Sequence, residues 1–343
     1  MHTLLSPRTL LIRIIVASVL LAVVMVACSL VGTETISLRS ALAGHGTDAP
    51  NPDYEILVHV RIPRILLAAI VGAALAAAGV TFQALLRNPL ADPYILGVSS
   101  GAGLGAMLAI VSGISWTLWG HSPIGLFAFA GAMGTVWLVW GIGQITGKAH
   151  VTGLLLAGVV VNAFFSAVIM FLASVASSDR LYAHMFWLMG NMTEEDFLVL
   201  WVAGGLVVAS IVALFLLAPK LNAISFGSVD AKAMGVHVEQ TQLAAFAIAA
   251  LVTAVAVSLS GLIGFVGLIV PHAIRLIFGP DHRQLLPLSS LAGAMFLIVA
   301  DTIARLIVAP AQLPVGVVTA MVGGPFFLVL LVRYNKKVYG LSA

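Results

Sequence analysis

The sequence is poor in charge: 8% of its 343 residues are Asp, Glu, Lys or Arg, whereas 61% are hydrophobic. Soluble domains usually carry about 25% charged residues. This composition therefore excludes an ordinary water-soluble domain and indicates lipid as the solvent. A membrane span needs about 20 mostly apolar residues, so the chain accommodates roughly nine to eleven spans.

Cysteine is almost absent. Cys28 stands alone in the sequence, which excludes an intrachain disulfide and leaves the redox compartment undefined. The formal net charge of +3 is small. In a membrane protein we interpret it through topology rather than as affinity for nucleic acid, and we predict no nucleic-acid partner.

Patterns for catalysis, metal binding and nucleotide binding are also missing. The sequence has no Cys pair and no His-Glu-x-x-His motif, so we predict no catalytic residue, no metal site and no cofactor. GIGQITGKA, at 141–149, superficially resembles a phosphate-binding loop. Five residues rather than four lie between its first glycine and Gly-Lys, however, and Ala149 stands where Ser or Thr is needed.

Long continuous apolar runs predict an all-α polytopic membrane protein with about ten transmembrane helices and no separate soluble domain, so that 1–343 is one transmembrane domain. The span at 264–279 is short and contains Pro271, which predicts a kinked or incomplete helix. The predicted spans are 10–31, 63–84, 94–113, 123–145, 151–176, 196–218, 241–260, 264–279, 286–308 and 315–333.

The N-terminal run has two interpretations. Residues 10–31 follow Arg8 and Arg13 and include Val-Ala-Cys at 26–28, which fits a lipoprotein-type secretory signal. We favour a first transmembrane helix, because the run is long enough to span and further spans follow.

Ten spans place both termini on one side of the membrane. If that side is cytoplasmic, eleven of the Lys and Arg residues lie inside and five outside, which agrees with the positive-inside bias. We therefore expect cytoplasmic termini. The five outer cations are Arg39, Arg61, Arg64, Arg180 and Arg305.

Two groups of charges near the membrane are open to alternatives. Asp301 and Arg305, four residues apart, favour an ion pair within one helix, whereas Asp301 with His272 could support a proton-coupled transporter. The Arg-Ile-Pro-Arg segment at 61–64 lies on the outer side against the charge bias. Its arginines either bind an acidic docking partner or remain as solvated helix caps.

The longest polar stretch predicted on the inner side is 221–240. It is too polar to span, but it could form two short helices around Gly227 or Gly235. Such a segment is either a plain connection or a platform that receives force from a partner.

Two groups of glycines recur at helical spacing: four residues apart at 97, 101 and 105, and three residues apart at 261, 264 and 267. Such glycines indicate close helix packing or, for 261–267, a helix pair that slides.

Several motifs, spread over roughly 10–335, closely resemble the FecCD-type permeases, which are subunits of ABC importers for iron chelates (ferric siderophores and haem) or cobalamin. They are Arg61–Arg64, Gln83 with the turn Arg87–Pro93, Leu96–Ser99, Gly264–Leu268 leading to Pro271 and His272, Leu313–Val317, and Gly323–Pro325.

The resemblance implies a ten-helix subunit of the type II importer fold that forms a homodimer in the bacterial inner membrane. Two ATPase subunits, which bind ATP and Mg, would dock below, and a periplasmic binding protein above. Arg61, Arg64 and Arg305 match the arginines that meet glutamates of the binding protein. Segment 222–236 matches the paired coupling helices; its candidate residues are Phe226, Gly227, Ala231, Met234 and Gly235, where Met234 replaces a customary Leu.

The resemblance also implies that the fifth span, 151–176, and parts of the eighth and tenth line the translocation path. The candidates on the fifth span are Asn162, Phe164, Ser166 and Met170. The expected cargo is a bulky metal chelate, an iron–siderophore or haem, with cobalamin as the alternative. ATP hydrolysis belongs to the partner chain, so the subunit itself is not expected to be an enzyme.

Overall fold

Apolar helices account for most of the chain. The computed structural model describes residues 6–42, 51–114, 123–145, 151–192 and 195–338, and within these ranges no strand occurs. A π-helical turn at Ile56–Arg61 and a 3₁₀ turn at Pro93–Leu96 occur between the α-helices. The α-helices are α1 (Pro7–Leu30), α2 (Leu38–Leu42), α3 (Pro52–Glu55), α4 (Ile62–Leu85), α5 (Val98–Ser112), α6 (Pro123–Ile145), α7 (Val151–Val175), α8 (Ser178–Leu188), α9 (Phe197–Phe226), α10 (Ser228–Ala233), α11 (Val238–Ser260), α12 (Val266–Phe278), α13 (His282–Leu306) and α14 (Val315–Val338).

Each of the ten predicted spans corresponds to one of these helices: α1, α4, α5, α6, α7, α9, α11, α12, α13 and α14. Seven of the ten are long and apolar enough to cross a membrane, and the other three contain shorter apolar helices. The short predicted span with the proline is α12, which has 13 residues and holds Pro271 in its interior. The fold class expected from the sequence is confirmed.

Two helix boundaries differ from expectation, and one helix was not expected. The span predicted from 94 begins only at Val98, because a 3₁₀ turn and the left-handed Gly97 (φ 78°) come first. The span predicted to end at 218 continues through Pro219 to Phe226, since Leu221 and Ile224 extend its buried face. Helix α8 was not predicted at all.

Helix α4 forms the centre of the molecule, and most of its residues are buried. It contacts α13, α11, α9 and α12. A Cβ on Gly72 would lie 2.2 Å from the carbonyl oxygen of Gly293, and one on Gly79 would lie 1.9 Å from that of Gly267. Small residues thus allow backbone-to-backbone contact between helices. Of the glycines noted in the sequence, Gly101, Gly105 and Gly267 lie this close to a neighbouring backbone, whereas a Cβ on Gly264 would meet nothing within 4 Å.

An unwound segment, 261–265, separates α11 from α12. Its backbone is satisfied by other irregular parts of the chain: Tyr94 Oη lies 3.2 Å from both the N and the O of Ile263, and the N–H of Asn191 donates to the carbonyl of Ser260 at 2.9 Å. Such partners are required wherever a helix is interrupted inside a membrane protein.

Contacts between helix ends agree with the predicted topology. Arg13, near the start of α1, contacts Gln284 near the start of α13, and both ends were predicted to be inside. Arg180 Nη1 donates to the carbonyl of Val111 at 2.5 Å; Arg180 was predicted to be outside, and Val111 lies near the predicted outer end of the third span. Helix α1 packs against α13 as an ordinary helix of 24 residues.

Candidate functional site

The arginines predicted to dock a partner lie together where α4 meets α13, on the predicted outer side. Arg64 Nε and Nη2 donate to the Asp301 carboxylate at 3.0–3.1 Å, and Arg64 Nη1 donates to Gln312 Oε1 at 2.8 Å. Arg305 Nε donates to the same carboxylate at 3.1 Å. One carboxylate therefore binds two guanidinium groups.

The third arginine, Arg61, binds backbone rather than a carboxylate. Its Nη1 donates to the carbonyl of Ser29 at 2.9 Å, and its Nη2 donates to the carbonyl of Glu34. Arg61 thereby connects the start of α4 to the end of α1 and the loop that follows it. The outer arginine cluster, as we call Arg61, Arg64 and Arg305, is thus assembled by the fold.

Burial corrects one of the two expectations for these residues. The relative exposures are 3% for Arg61, 6% for Arg64 and 8% for Arg305, so the solvated-cap interpretation is wrong. Because Asp301 supplies one negative charge against three positive ones, the cluster keeps a surplus of positive charge. Docking to an acidic partner stays a prediction.

The ion pair predicted within one helix from the spacing of Asp301 and Arg305 is present, since Arg305 Nε and Asp301 Oδ2 are 3.1 Å apart. Proton coupling through Asp301 finds no support in this geometry. Both carboxylate oxygens are bound by guanidinium groups. His272 lies on α12, and its Nδ1 is buried without a hydrogen-bond partner among the described residues.

On the predicted inner side, segment 222–236 forms a platform on which exposed apolar side chains lie among exposed polar ones such as Asp230 and Lys232. Phe226 is 81% exposed and Val229 79% exposed, and Met234 is exposed as well. Ala231, in contrast, is fully buried against Ile224 and Val238. The segment is therefore attached to the helix ends by one face and presents apolar side chains on the other.

The expected pair of short coupling helices is only partly present. Residues 222–226 are the last turn of α9, and α10 is a single six-residue helix that begins after Gly227. Gly235 ends the segment in a left-handed conformation (φ 80°), which glycine adopts without steric cost. Its N–H donates to the carbonyl of Lys232 at 3.0 Å.

The predicted path residues lie on α7, whose main contacts among the described residues are with α5, α6 and the 3₁₀ turn. Asn162, Phe164 and Met170 are exposed, and Ser166 is half-buried. At 100° per residue, positions 162, 166 and 170 form one stripe, whereas Phe164 lies about 160° from Asn162 on the opposite flank. The four candidates therefore do not share one face.

Two residues that sequence reasoning did not assign an individual role connect the coupling segment to the rest of the chain. Arg87 Nε donates to the carbonyl of Ile224 at 3.1 Å. Asn222 Nδ2 donates to Asp281 Oδ1 at 2.8 Å. Arg87 was noted only as part of a motif, and no local pattern connects Asn222 with a residue 59 positions away.

Comparison with known proteins agrees with this architecture. The sequence pattern described as the FecCD transport family matches residues 19–333. The hemin transport system permease protein HmuU of Yersinia pestis is 37% identical over 323 residues, covering 93% of this chain and 95% of that protein. The cobalamin import system permease protein BtuC of Halobacterium salinarum is 44% identical over 282 residues, covering 82% and 74%.

A solved structure described as an inward-facing conformation of a metal-chelate type ABC transporter shares the fold. It superposes with a TM-score of 0.81 at 32% identity and covers 93% of this chain and 98% of its own. The chain is thus a membrane-spanning permease. It belongs to the FecCD transport family.

Proposed function

We propose that the chain is the pore-forming subunit of an ABC importer that moves a bulky metal chelate across the bacterial inner membrane, with both termini in the cytoplasm. The observation that carries this proposal is the exposed apolar platform of Phe226, Val229 and Met234 at the inner end of α9. Exposed aromatic and apolar side chains beyond a membrane helix are typical of a protein docking surface.

An ATPase subunit is the partner that the platform suits. The chain lacks a phosphate-binding motif of its own, so ATP and Mg would be bound by that partner. Attachment through the buried Ala231 allows a push on the platform to reach α9 and α11. The chain itself then contributes conformational change and not catalysis.

The outer arginine cluster is proposed to dock a periplasmic binding protein. Its surplus of positive charge favours acidic partner residues, and arginine binds carboxylates in a bidentate manner. Because Arg64 and Arg305 already share Asp301, a partner carboxylate has to compete with Asp301 or use the N–H groups that remain.

A homodimer would enclose the translocation path that a single copy leaves open. Many of the described side chains on helix α7 are exposed in the single chain, and a second copy packed near them would enclose a path. Of the candidates, Asn162, Ser166 and Met170 form one stripe and are the better lining residues. A smooth apolar lining with few polar groups lets a bulky chelate pass without tight binding.

The cargo class follows from the relatives, which are named for hemin, cobalamin and Fe(3+) dicitrate transport. We favour an iron–siderophore or haem, with cobalamin as the alternative. The test reconstitutes this chain in nanodiscs with the ATPase and the binding protein encoded beside it. ATP hydrolysis is then measured while haem, cobalamin and a ferric siderophore are added in turn.

Stimulation by one loaded binding protein supports the importer and identifies the cargo. Uptake into proteoliposomes should also stop when the ATPase is catalytically inactive. Uptake that persists with an inactive ATPase and follows a proton gradient would overturn the proposal in favour of a proton-coupled transporter.

A further inference from the structure

Asn222 is a hydrogen-bonding hub at the inner end of α9. Its Nδ2 donates to Asp281 Oδ1 at 2.8 Å, and its Oδ1 accepts from the backbone N–H of His282 at 2.9 Å. The same Oδ1 lies 2.6 Å from His282 Nδ1. Both polar atoms of the Asn222 side chain therefore bind the turn between α12 and α13.

A second link joins the same part of α9 to the turn after α4. Arg87 adopts a positive φ of 48°, which is uncommon for a residue other than glycine, and its Nε donates to the carbonyl of Ile224 at 3.1 Å. That carbonyl belongs to the last turn of α9, where no helical N–H follows to bind it. Two turns thus contact the coupling segment, one through the side chain of Arg87 and the other through that of Asn222.

The Asn222 link is additional to what the α12–α13 turn needs for its own fold. Asp281 caps α13 without help, since it accepts from the N–H of Arg283 at 3.0 Å and forms an ion pair with the Arg283 side chain. Gln284 Nε2 binds the carbonyl of Phe278 at 2.5 Å and closes the turn. The amide of Asn222 therefore links α9 to the α12–α13 turn and is not needed to close that turn.

We propose that Asn222 is a positioning residue that transmits displacement of the coupling segment to α12 and α13, with Arg87 as the parallel link to α4. This inference rests on the proposed function, because the displacement comes from the partner ATPase. Helices α4, α12 and α13 form the centre of the subunit, so a pull on their inner ends changes its packing directly.

The test measures cargo transported per ATP hydrolysed in proteoliposomes that hold the complete complex. The cargo is haem, cobalamin or a ferric siderophore, whichever stimulates hydrolysis by the unaltered complex. Asn222→Ala should leave co-purification of the ATPase intact and lower transport per ATP roughly fivefold, the equilibrium effect of one lost hydrogen-bonded link. The matched control is Glu239→Gln, which removes an exposed ion pair with Lys232 near the same segment and should not change the ratio.

A reciprocal exchange separates transmission from simple loss of structure. Asn222→Asp alone places a carboxylate against Asp281 and should lower the ratio further. Combined with Asp281→Asn, it restores a complementary pair, because the introduced carboxylate can accept from the introduced amide and from His282 N–H. Recovery of the transport ratio in the double variant is the result expected from a transmitting contact.

The outcomes separate this inference from the proposed function. If the unaltered complex shows no ATP-driven transport, the proposed function fails. If that complex transports and Asn222→Ala retains the full ratio, the link is not a transmitter and the inference is overturned. Should Asn222→Ala fail to assemble, the double variant decides, and an assembled double variant without recovery counts against the inference.

Discussion

At the scale of single residues, Asp301 is the side chain on which the outer arginine cluster depends. Replacing it with Asn removes the one negative charge that binds Arg64 and Arg305 inside the protein. Removing one partner of a buried ion pair usually costs about 3–5 kcal/mol. We therefore expect Asp301→Asn to lower the free energy of unfolding by about 3 kcal/mol.

Thermal unfolding in detergent measures this effect, with Glu239→Gln as the control because its ion pair with Lys232 is exposed. Exposed pairs contribute little, so the control should unfold like the unaltered protein. An Asp301→Asn variant that unfolds at the same temperature as the control would show that the arginines do not need this carboxylate.

His184 is a second buried residue with a measurable consequence. It lies on α8, is 3% exposed, and has no hydrogen-bond partner on either ring nitrogen among the described residues. Burial lowers the pKa of its imidazole below the ordinary 6.5. The folded state thus holds His184 neutral at a pH where the unfolded chain binds a proton.

The sign of the pH dependence follows from linkage. Below about pH 6.5 the unfolded state binds more protons than the folded state, in which His184 stays neutral. The free energy of unfolding is therefore highest above that pH and decreases as the pH falls. We expect the melting temperature to decrease between pH 7 and pH 5, and to decrease less in His184→Phe. Equal slopes for both proteins would refute a role for this residue.

The residue scale shows what spacing in a sequence can predict. The Asp301–Arg305 pair was predicted because four residues form one helical turn. The Arg64–Asp301 pair joins positions 237 apart, and no local pattern specifies it. The sequence therefore indicated which charges matter, while their burial and the sharing of one carboxylate came only with the packing of α4 against α13.

At the scale of elements, the α4–α13 interface depends on close backbone contact. A Cβ at Gly72 would lie 2.2 Å from the carbonyl oxygen of Gly293, and main-chain atoms of a packed helix cannot move aside easily. Overpacking of this kind typically costs 1–3 kcal/mol. We expect Gly72→Leu to lower the free energy of unfolding by about 3 kcal/mol.

Gly205 on α9 provides the control, since a Cβ there meets nothing within 4 Å. Gly205→Ala should be neutral or stabilising, because glycine costs about 1 kcal/mol in a helix interior. Thermal unfolding of the two variants in the same detergent compares them. Equal stability would mean that the helices separate readily at Gly72.

The coupling segment allows a prediction about assembly. Phe226→Asp places a charge on the exposed platform without disturbing the buried contact of Ala231. Loss of a central aromatic contact typically costs about 2 kcal/mol of binding free energy. Co-purification of the ATPase should therefore decrease while the melting temperature of the isolated permease stays unchanged. Undiminished co-purification would place the ATPase elsewhere.

The element scale also shows where sequence patterns fail. Continuous hydropathy located all ten spans, yet it ended α9 at the polar residues after 218, where a buried face continues to Ile224. Hydropathy also missed α8, because that helix is amphipathic and too short to span. Ser177 at its start and Asp179 in its first turn were helix-start signals that a hydropathy scan does not use.

At the scale of the whole molecule, one copy leaves much of α7 without protein contacts, as it does the outward faces of α1 and α9. Lipid covers any such face equally well, so exposure alone does not identify a subunit interface. The uncovered flanks of α7 differ, however: one carries Asn162, and the other carries Phe164 and Phe171. A polar residue facing hydrocarbon is unfavourable, which favours the Asn162 flank as the protein-facing side.

Cross-linking in native membranes tests this assignment. Cys28→Ser removes the native thiol, and Met170→Cys then places one thiol on the stripe with Asn162, where two copies related by a twofold axis bring equivalent positions together. We expect a bifunctional thiol reagent that reaches across the path to yield a species of twice 35.6 kDa. Val202→Cys on the exposed face of α9 is the control and should remain monomeric. Equal cross-linking of both would indicate random collision, whereas cross-linking through Phe164→Cys and not Met170→Cys would assign the opposite flank of α7 to the dimer.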